Sequence, residues 1–187
     1  MIHSGKFTAL LDANVLYPAP LRDYLLHLAN LGLYQPKWTD EIQNEWIDNL
    51  LVKRVDLIRD KLEKTKDAMN SAFPDANVVS YKKLMAGLSL KDEDDKHVLA
   101  AAIRGNANVI VTFNLKDFPA VYLKTFDIEP QHPDTFVSTI INLDKNKAIE
   151  ALNNQVKSLR NPSKTKKDVL ETLKNCGLEK TATLLGG

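Results

Sequence analysis

Four consecutive acids, Asp92, Glu93, Asp94 and Asp95, stand directly before the apolar run of KHVLAAAIRG. At about 100° per residue, a helix starting here sets Asp95 over Val98, Leu99 and Ala102, in the middle of the buried stripe. A carboxylate aimed into a core is costly unless a metal ion or a dense set of hydrogen bonds compensates it. Asp92 reads as the helix cap, where an acid complements the helix dipole, Asp95 as a metal ligand, and Asp94 as either. Asp12 follows the apolar run FTALL and Asn114 follows NVIVTF, so both stand where strands end. In an open parallel sheet the loops at those ends build the site. On spacing alone, Asp12 is either part of such a site or only a turn or cap. Glu45 lies between Ile42 and Trp46 and borders an apolar helix face. Asp12, Glu45 and Asp95 together put hard oxygen ligands on three separate elements, the pattern of a Mg²⁺ or Mn²⁺ site. Zinc does not fit: His3, His27, His97 and His132 show no ligand spacing, and Cys176 stands alone. His97, beside the helix start, reads as packing, and no Ser–His or Cys–His pair competes for the chemistry.

The elements that must position these acids are legible in outline. Phe7–Leu11 and Asn108–Phe113 read as buried strands, with shorter strands expected at Val78-Val79 and Phe126–Ile128. Helices are expected over Leu21–Leu33, from a cap at Thr39 or Asp40 through Leu50, over Val55–Met69, and from Asp92 to near Gly105. Strands alternating with helices imply a parallel sheet covered on both faces. After about His132 the pattern turns helical: Asp144–Leu159 is amphipathic, Thr165 can cap a second helix, and Gly177 can end it. The expected division is a domain over 1–131 and a helical extension over 132–187.

Composition bounds the rest. A chain of 187 residues, 44% hydrophobic and 26% charged, suits one main globular domain with an appendage. Its 25 basic and 24 acidic residues nearly cancel, so any grip on nucleic acid must be local. The single cysteine excludes an intrachain disulfide, no apolar run reaches membrane-spanning length, and no signal sequence is visible, so a soluble, cytoplasmic protein is expected. The basic runs at Lys53, Arg54, Arg59, Lys61, Lys64 and Lys66 and at Lys164, Lys166 and Lys167 are either RNA contacts or solvated faces. For the first run, the interleaved Asp56, Asp60 and Glu63 favour a solvated face.

FTALLDANVLYP, TDEIQNEW and DEDDKHVLAAAIRGNANVIVTFNLKDFP, in that order and spacing, resemble the PIN-domain nucleases over about residues 6–130. The third segment is the most specific, and the C-terminal part resembles a helical tail of one bacterial subgroup. The resemblance implies a three-layer α/β/α sandwich with a central parallel sheet. It further implies a Mg²⁺- or Mn²⁺-dependent endoribonuclease of the VapC toxin type, a homodimer with a cognate antitoxin protein. By position, Asp12, Glu45 and Asp95 match the family's acids, with Asp94 beside the last, and Asn14 matches the small polar residue after the first. The fourth acidic position falls on Asn114, a departure that either weakens one contact or passes the role to Asp117. The implied chemistry is in-line attack of hydroxide on phosphorus, leaving a 5′-phosphate. Two other readings stand beside it. A catalytically weak PIN scaffold, acting by binding RNA or protein, is open because of Asn114. A phospho-acceptor receiver domain would need a second acid near Asp12, where Leu10 and Leu11 stand instead.

Overall fold

The apolar opening run forms β1, Thr8–Leu11, whose residues are all buried. The computed structural model describes residues 7–187, so His3 lies outside the described residues. β1 pairs in parallel with β2, Gln35–Lys37, on one side and with β3, Val109–Val111, on the other. β4, Glu129–Gln131, extends the sheet beyond β3, giving the order β2-β1-β3-β4. Leu10, Leu11, Ile110 and Val111 have no solvent exposure, as parallel strands buried on both faces require. The covering helices are α1 Ala13–Leu16, α2 Ala19–Asn30, α3 Asp40–Lys53, α4 Arg59–Ala72, α5 Lys96–Arg104 and α6 Ala120–Leu123. The result is the expected three-layer α/β/α sandwich. The register that sets Leu11 against Val111 brings the next residues, Asp12 and Thr112, side by side at the carboxyl edge.

Four further helices complete the chain: α7 Pro133–Leu143, α8 Lys145–Ser158, α9 Lys166–Asn175 and α10 Glu179–Gly186. They are tied to the sheet layers by specific contacts. The Tyr24 hydroxyl on α2 donates to the Ala148 carbonyl on α8 at 3.0 Å, and Phe136 of α7 meets Tyr34 edge-on at 5.0 Å. The expected Thr165 cap is present as a capping box with Asp168, and Gly177 adopts φ +90° just past α9, where a side chain would be strained. Asp134 of α7 accepts from the Lys180 and Thr181 amides at 2.9 and 2.8 Å, so it caps α10 from outside. Among the described residues no helix is long and apolar enough to cross a membrane.

Several expected elements are corrected. Val78-Val79 is not a strand: Asn77 forms one bridge with Trp38, Val79 is 63% exposed, and Ser80 turns away at φ 60°. Phe126 ends a short 3₁₀ turn, Lys124–Phe126, rather than opening a strand, and left-handed Asp127 leads into β4 three residues later than expected. β2 and β4 were both unforeseen as placed, because each carries a proline, Pro36 or Pro130, and little apolar signal. Proline is tolerated there because both strands lie at sheet edges. α4 begins at Arg59, leaving Val55 94% exposed in the preceding turn. The short helices α1 and α6, together with α7 and α10, were also unforeseen.

Candidate active site

Asp12 closes β1 and caps α1, its backbone N–H donating to the Val111 carbonyl at 3.1 Å. Its side chain is 6% exposed yet well satisfied. Oδ1 accepts from the Ala13 amide at 2.7 Å, and Oδ2 accepts from the Asn14 amide nitrogen at 2.9 Å and the Thr112 hydroxyl at 2.7 Å. Asn14 also crosses to β3, accepting from the Phe113 amide at 3.1 Å. The Thr112 oxygen in turn accepts from the Asn114 amide at 3.0 Å. Asn14 and Thr112 thus lock the ends of β1 and β3 together and fix the Asp12 carboxylate. Burial still pushes the Asp12 acid above its ordinary value, against the lowering effect of these bonds.

Asp95 occupies the N-cap position of α5 but makes no side-chain capping bond. It therefore sits immediately before the apolar stripe, not within it. Its Oδ2 is buried without a hydrogen-bond partner among the described residues. Its acid is pushed up to about 6, first by burial and then by the charges of Asp12, Asp92 and Asp117. Asp92, Asp95 and Asp117 each offer a carboxylate oxygen, all within 4.8 Å of one another. Asp92, expected as the helix cap, instead accepts from the Asp94 amide at 3.0 Å in the turn before the helix. Asp94 is exposed and lines the adjoining cavity. Asn114 turns its amide nitrogen onto Asp117 in a short hydrogen bond, so the carboxylate facing the cluster belongs to Asp117.

Glu45, on α3, belongs to a neighbouring group. Its Oε1 accepts from His97 Nε2 at 2.8 Å, and Glu41, one turn earlier on the same face, accepts from the Tyr81 hydroxyl at 2.8 Å. His97, expected only to pack, is 4% exposed and does more. Burial lowers its pKa, but the Glu45 hydrogen bond and the charges of Glu45, Glu41 and Asp12 outweigh that and leave it raised. The charge coupling of Asp12 to Glu45, His97 and Asp95 joins the two groups electrically. A cavity of about 390 Å³ runs past Glu41, Glu45, Asp94, Asp95 and His97.

The aspartate cluster suits a divalent cation. Its carboxylates repel one another, one oxygen is buried without a donor, and all its ligand atoms are hard oxygens. Sequence reasoning did not select Glu41, Asp92 or Thr112. Glu41 had a signal, since i−4 from Glu45 shares its helix face, whereas the role of Thr112 depends on strand register. The basic run on α3 and α4 is largely neutralised by ion pairs: Arg54–Asp56 at 2.7 Å, Lys64–Asp60 at 3.0 Å, Lys66–Glu63 at 2.6 Å, and Arg59 with Asp48.

Comparison with known proteins fits this geometry. The PIN domain family model matches residues 8–116, and the VapC50 C-terminal domain model matches residues 133–187. A protein of Mycobacterium tuberculosis named "Putative ribonuclease VapC50" is 37% identical over 93 residues, covering 50% of this chain and 54% of its own. The chain thus spans about half the length of that relative. No solved structure matches the chain.

Proposed function

The chain belongs to the PIN-domain family, and from that premise we propose that it is a divalent-metal-dependent endoribonuclease, the toxin of a toxin–antitoxin pair. The observation that carries this reading is the convergence of Asp92, Asp95 and Asp117 around a buried, unpartnered Asp95 oxygen. The similarity to a protein named as a ribonuclease supports the substrate class, and the C-terminal match to a VapC50 domain supports the toxin role. In this reading residues 1–131 form the nuclease domain and 132–187 the extension. The protein works in the cytoplasm as a homodimer, held in check by a cognate antitoxin.

Asp95, Asp117 and Asp92 would hold a Mg²⁺ or Mn²⁺ ion, with Asp12 facing them across the sheet edge. When bound, the ion supplies Lewis acidity, which acidifies water and neutralises charge on the attacked phosphate. Asn114 orients Asp117 rather than serving as a ligand, and Asn14 and Thr112 hold Asp12 rigid. Glu45 closes the α3 side of the pocket. Fixed acids at one edge favour in-line attack by water, with the 3′ oxygen leaving and a 5′-phosphate remaining. Single-stranded RNA incubated with the protein and Mg²⁺ should therefore give 5′-phosphate and 3′-hydroxyl ends by mass spectrometry. Cyclic 2′,3′-phosphate ends would mean attack by the neighbouring ribose hydroxyl and would refute the water-attack reading.

A further inference from the structure

Thr112, Phe113 and Asn114 follow β3 directly, and each holds a different member of the aspartate site. The Thr112 hydroxyl donates to Asp12 Oδ2 at 2.7 Å. The Phe113 amide donates to Asn14 Oδ1 at 3.1 Å, and Asn14 in turn donates to Asp12 Oδ2 at 2.9 Å. Asn114 donates its side-chain amide to Asp117. The half-buried ring of Phe113 lies instead against the C-terminal helices. It meets His132 edge-on, with ring centres 5.0 Å apart and planes at 81°. A methyl group built on Gly177 would stand 3.2 Å from Phe113 Cε1 and 3.8 Å from Cζ, so the bare backbone between α9 and α10 is seated on the ring. This socket is itself braced. His132 Nδ1 accepts from the Asp134 amide at 3.2 Å and caps α7, while the Asp134 carboxylate accepts from the Lys180 and Thr181 amides of α10. Leu178, next to Gly177, is fully buried and anchors the corner.

We propose that Phe113 is a positioning residue through which the C-terminal extension, by way of His132 and Gly177, sets the placement of Asp12 and Asp117. The three residues that grip the site are a short irregular segment, with Asn114 at φ −100° and ψ 58°. Such a segment keeps considerable backbone freedom unless something outside it removes that freedom. The ring does so at the middle residue, so its two neighbours and its own amide are fixed together. Carboxylates that serve one site have to be held to within about 0.5 Å by groups that are themselves locked. The extension is then part of the scaffold of the site and not only a cover for apolar surface. The chemistry of that site rests on the function proposed above, whereas the clamp is a matter of packing and can be tested without cleavage. If Phe113 only filled space, losing its ring would loosen the fold as a whole and leave the site no worse than the rest.

Amide hydrogen exchange of the full chain in EDTA tests the clamp with no metal and no RNA present. Phe113→Leu keeps an apolar side chain and secures the fold, and Gly177→Ala presses a methyl group onto the ring from the extension side. In each variant the amide of residue 113 should exchange about tenfold faster relative to that of Ile110 in β3. Val156→Ala, which loosens the extension on α8, should change the two amides alike. Mn²⁺ affinity, read by electron paramagnetic resonance without RNA, should fall about tenfold or more in Phe113→Leu. In cleavage assays the same variant should lose kcat while KM for RNA stays at the wild-type value. The two readings fail separately: a wild-type chain that binds no Mn²⁺ overturns the metal reading alone. The clamp is overturned if residue 113 and Ile110 change in step in Phe113→Leu and Gly177→Ala, or if Phe113→Leu binds Mn²⁺ as tightly as a wild type that does bind it.

Discussion

Asp95 carries a cost in the metal-free protein that can be read as a function of pH. Its acid sits near 6 in the folded chain against an ordinary 3.8. Below about pH 4 it is protonated in both states and contributes nothing. Between 4 and 6 the unfolded chain loses the proton while the folded chain keeps it, so stability falls, and above 6 the penalty is constant. In EDTA, Asp95→Asn should therefore melt higher than wild type at pH 7, with the gap closing as pH falls toward 4. Equal melting temperatures at both pH values would contradict the burial of this acid. The neighbouring pair separates in activity. Asp117→Ala removes a carboxylate from the cluster and should cost at least about 100-fold in kcat/KM at limiting Mg²⁺, since a metal's contribution is several kcal/mol. Asn114→Ala removes only the amide that orients Asp117 and should cost about 10- to 100-fold. A larger loss at Asn114 than at Asp117 would reverse these roles.

At the scale of elements, the site depends on where α3 starts. The Thr39 hydroxyl, fully buried, accepts from the Ile42 amide at 3.0 Å and sets the first turn that carries Glu41 and Glu45. Thr39→Ala should cost about 1 kcal/mol in urea unfolding, the usual effect of a lost cap; an unchanged midpoint would show that the cap is redundant. The caps at Thr165 and at Thr39 or Asp40, of which Thr39 serves, were legible because a capping oxygen before an apolar period is a local signal. The same holds for FTALL and NVIVTF, whose apolar runs specify central strands. Asp95 was singled out as an acid within the apolar stripe, whereas it stands at the N-cap just before it, because the helix starts one residue later. The edge strands were not legible, since Gln35-Pro36-Lys37 and Glu129-Pro130-Gln131 form by pairing with β1 and β3 and not by their own pattern. The partition of the acids into two groups was equally hidden. It rests on His97 meeting Glu45 from 52 positions away and on Asn114 turning toward Asp117, contacts that only the packed fold creates.

On the scale of the whole molecule, the C-terminal helices cover surface that the sheet domain alone would expose. Phe136 and Ile140 are buried, as are Ala148 and Leu152 on α8, which packs against α2. A chain cut after residue 131 should aggregate or lose cooperative melting, and Phe136→Ala alone should cost about 3–5 kcal/mol. A soluble truncation with an intact melting transition would show that the sheet domain stands by itself. If the chain is a toxin, its expression should arrest growth, Asp95→Asn should not, and a co-expressed antitoxin should relieve the arrest. The proposed function requires that the aspartate cluster hold a metal, and one measurement reaches that directly: RNA cleavage rate against Mg²⁺ concentration for wild type and Asp95→Asn. A saturable rise for wild type that vanishes in EDTA, with the variant inert throughout, is the expected result. Cleavage that persists in EDTA, or a variant that cuts at the wild-type rate, would contradict it.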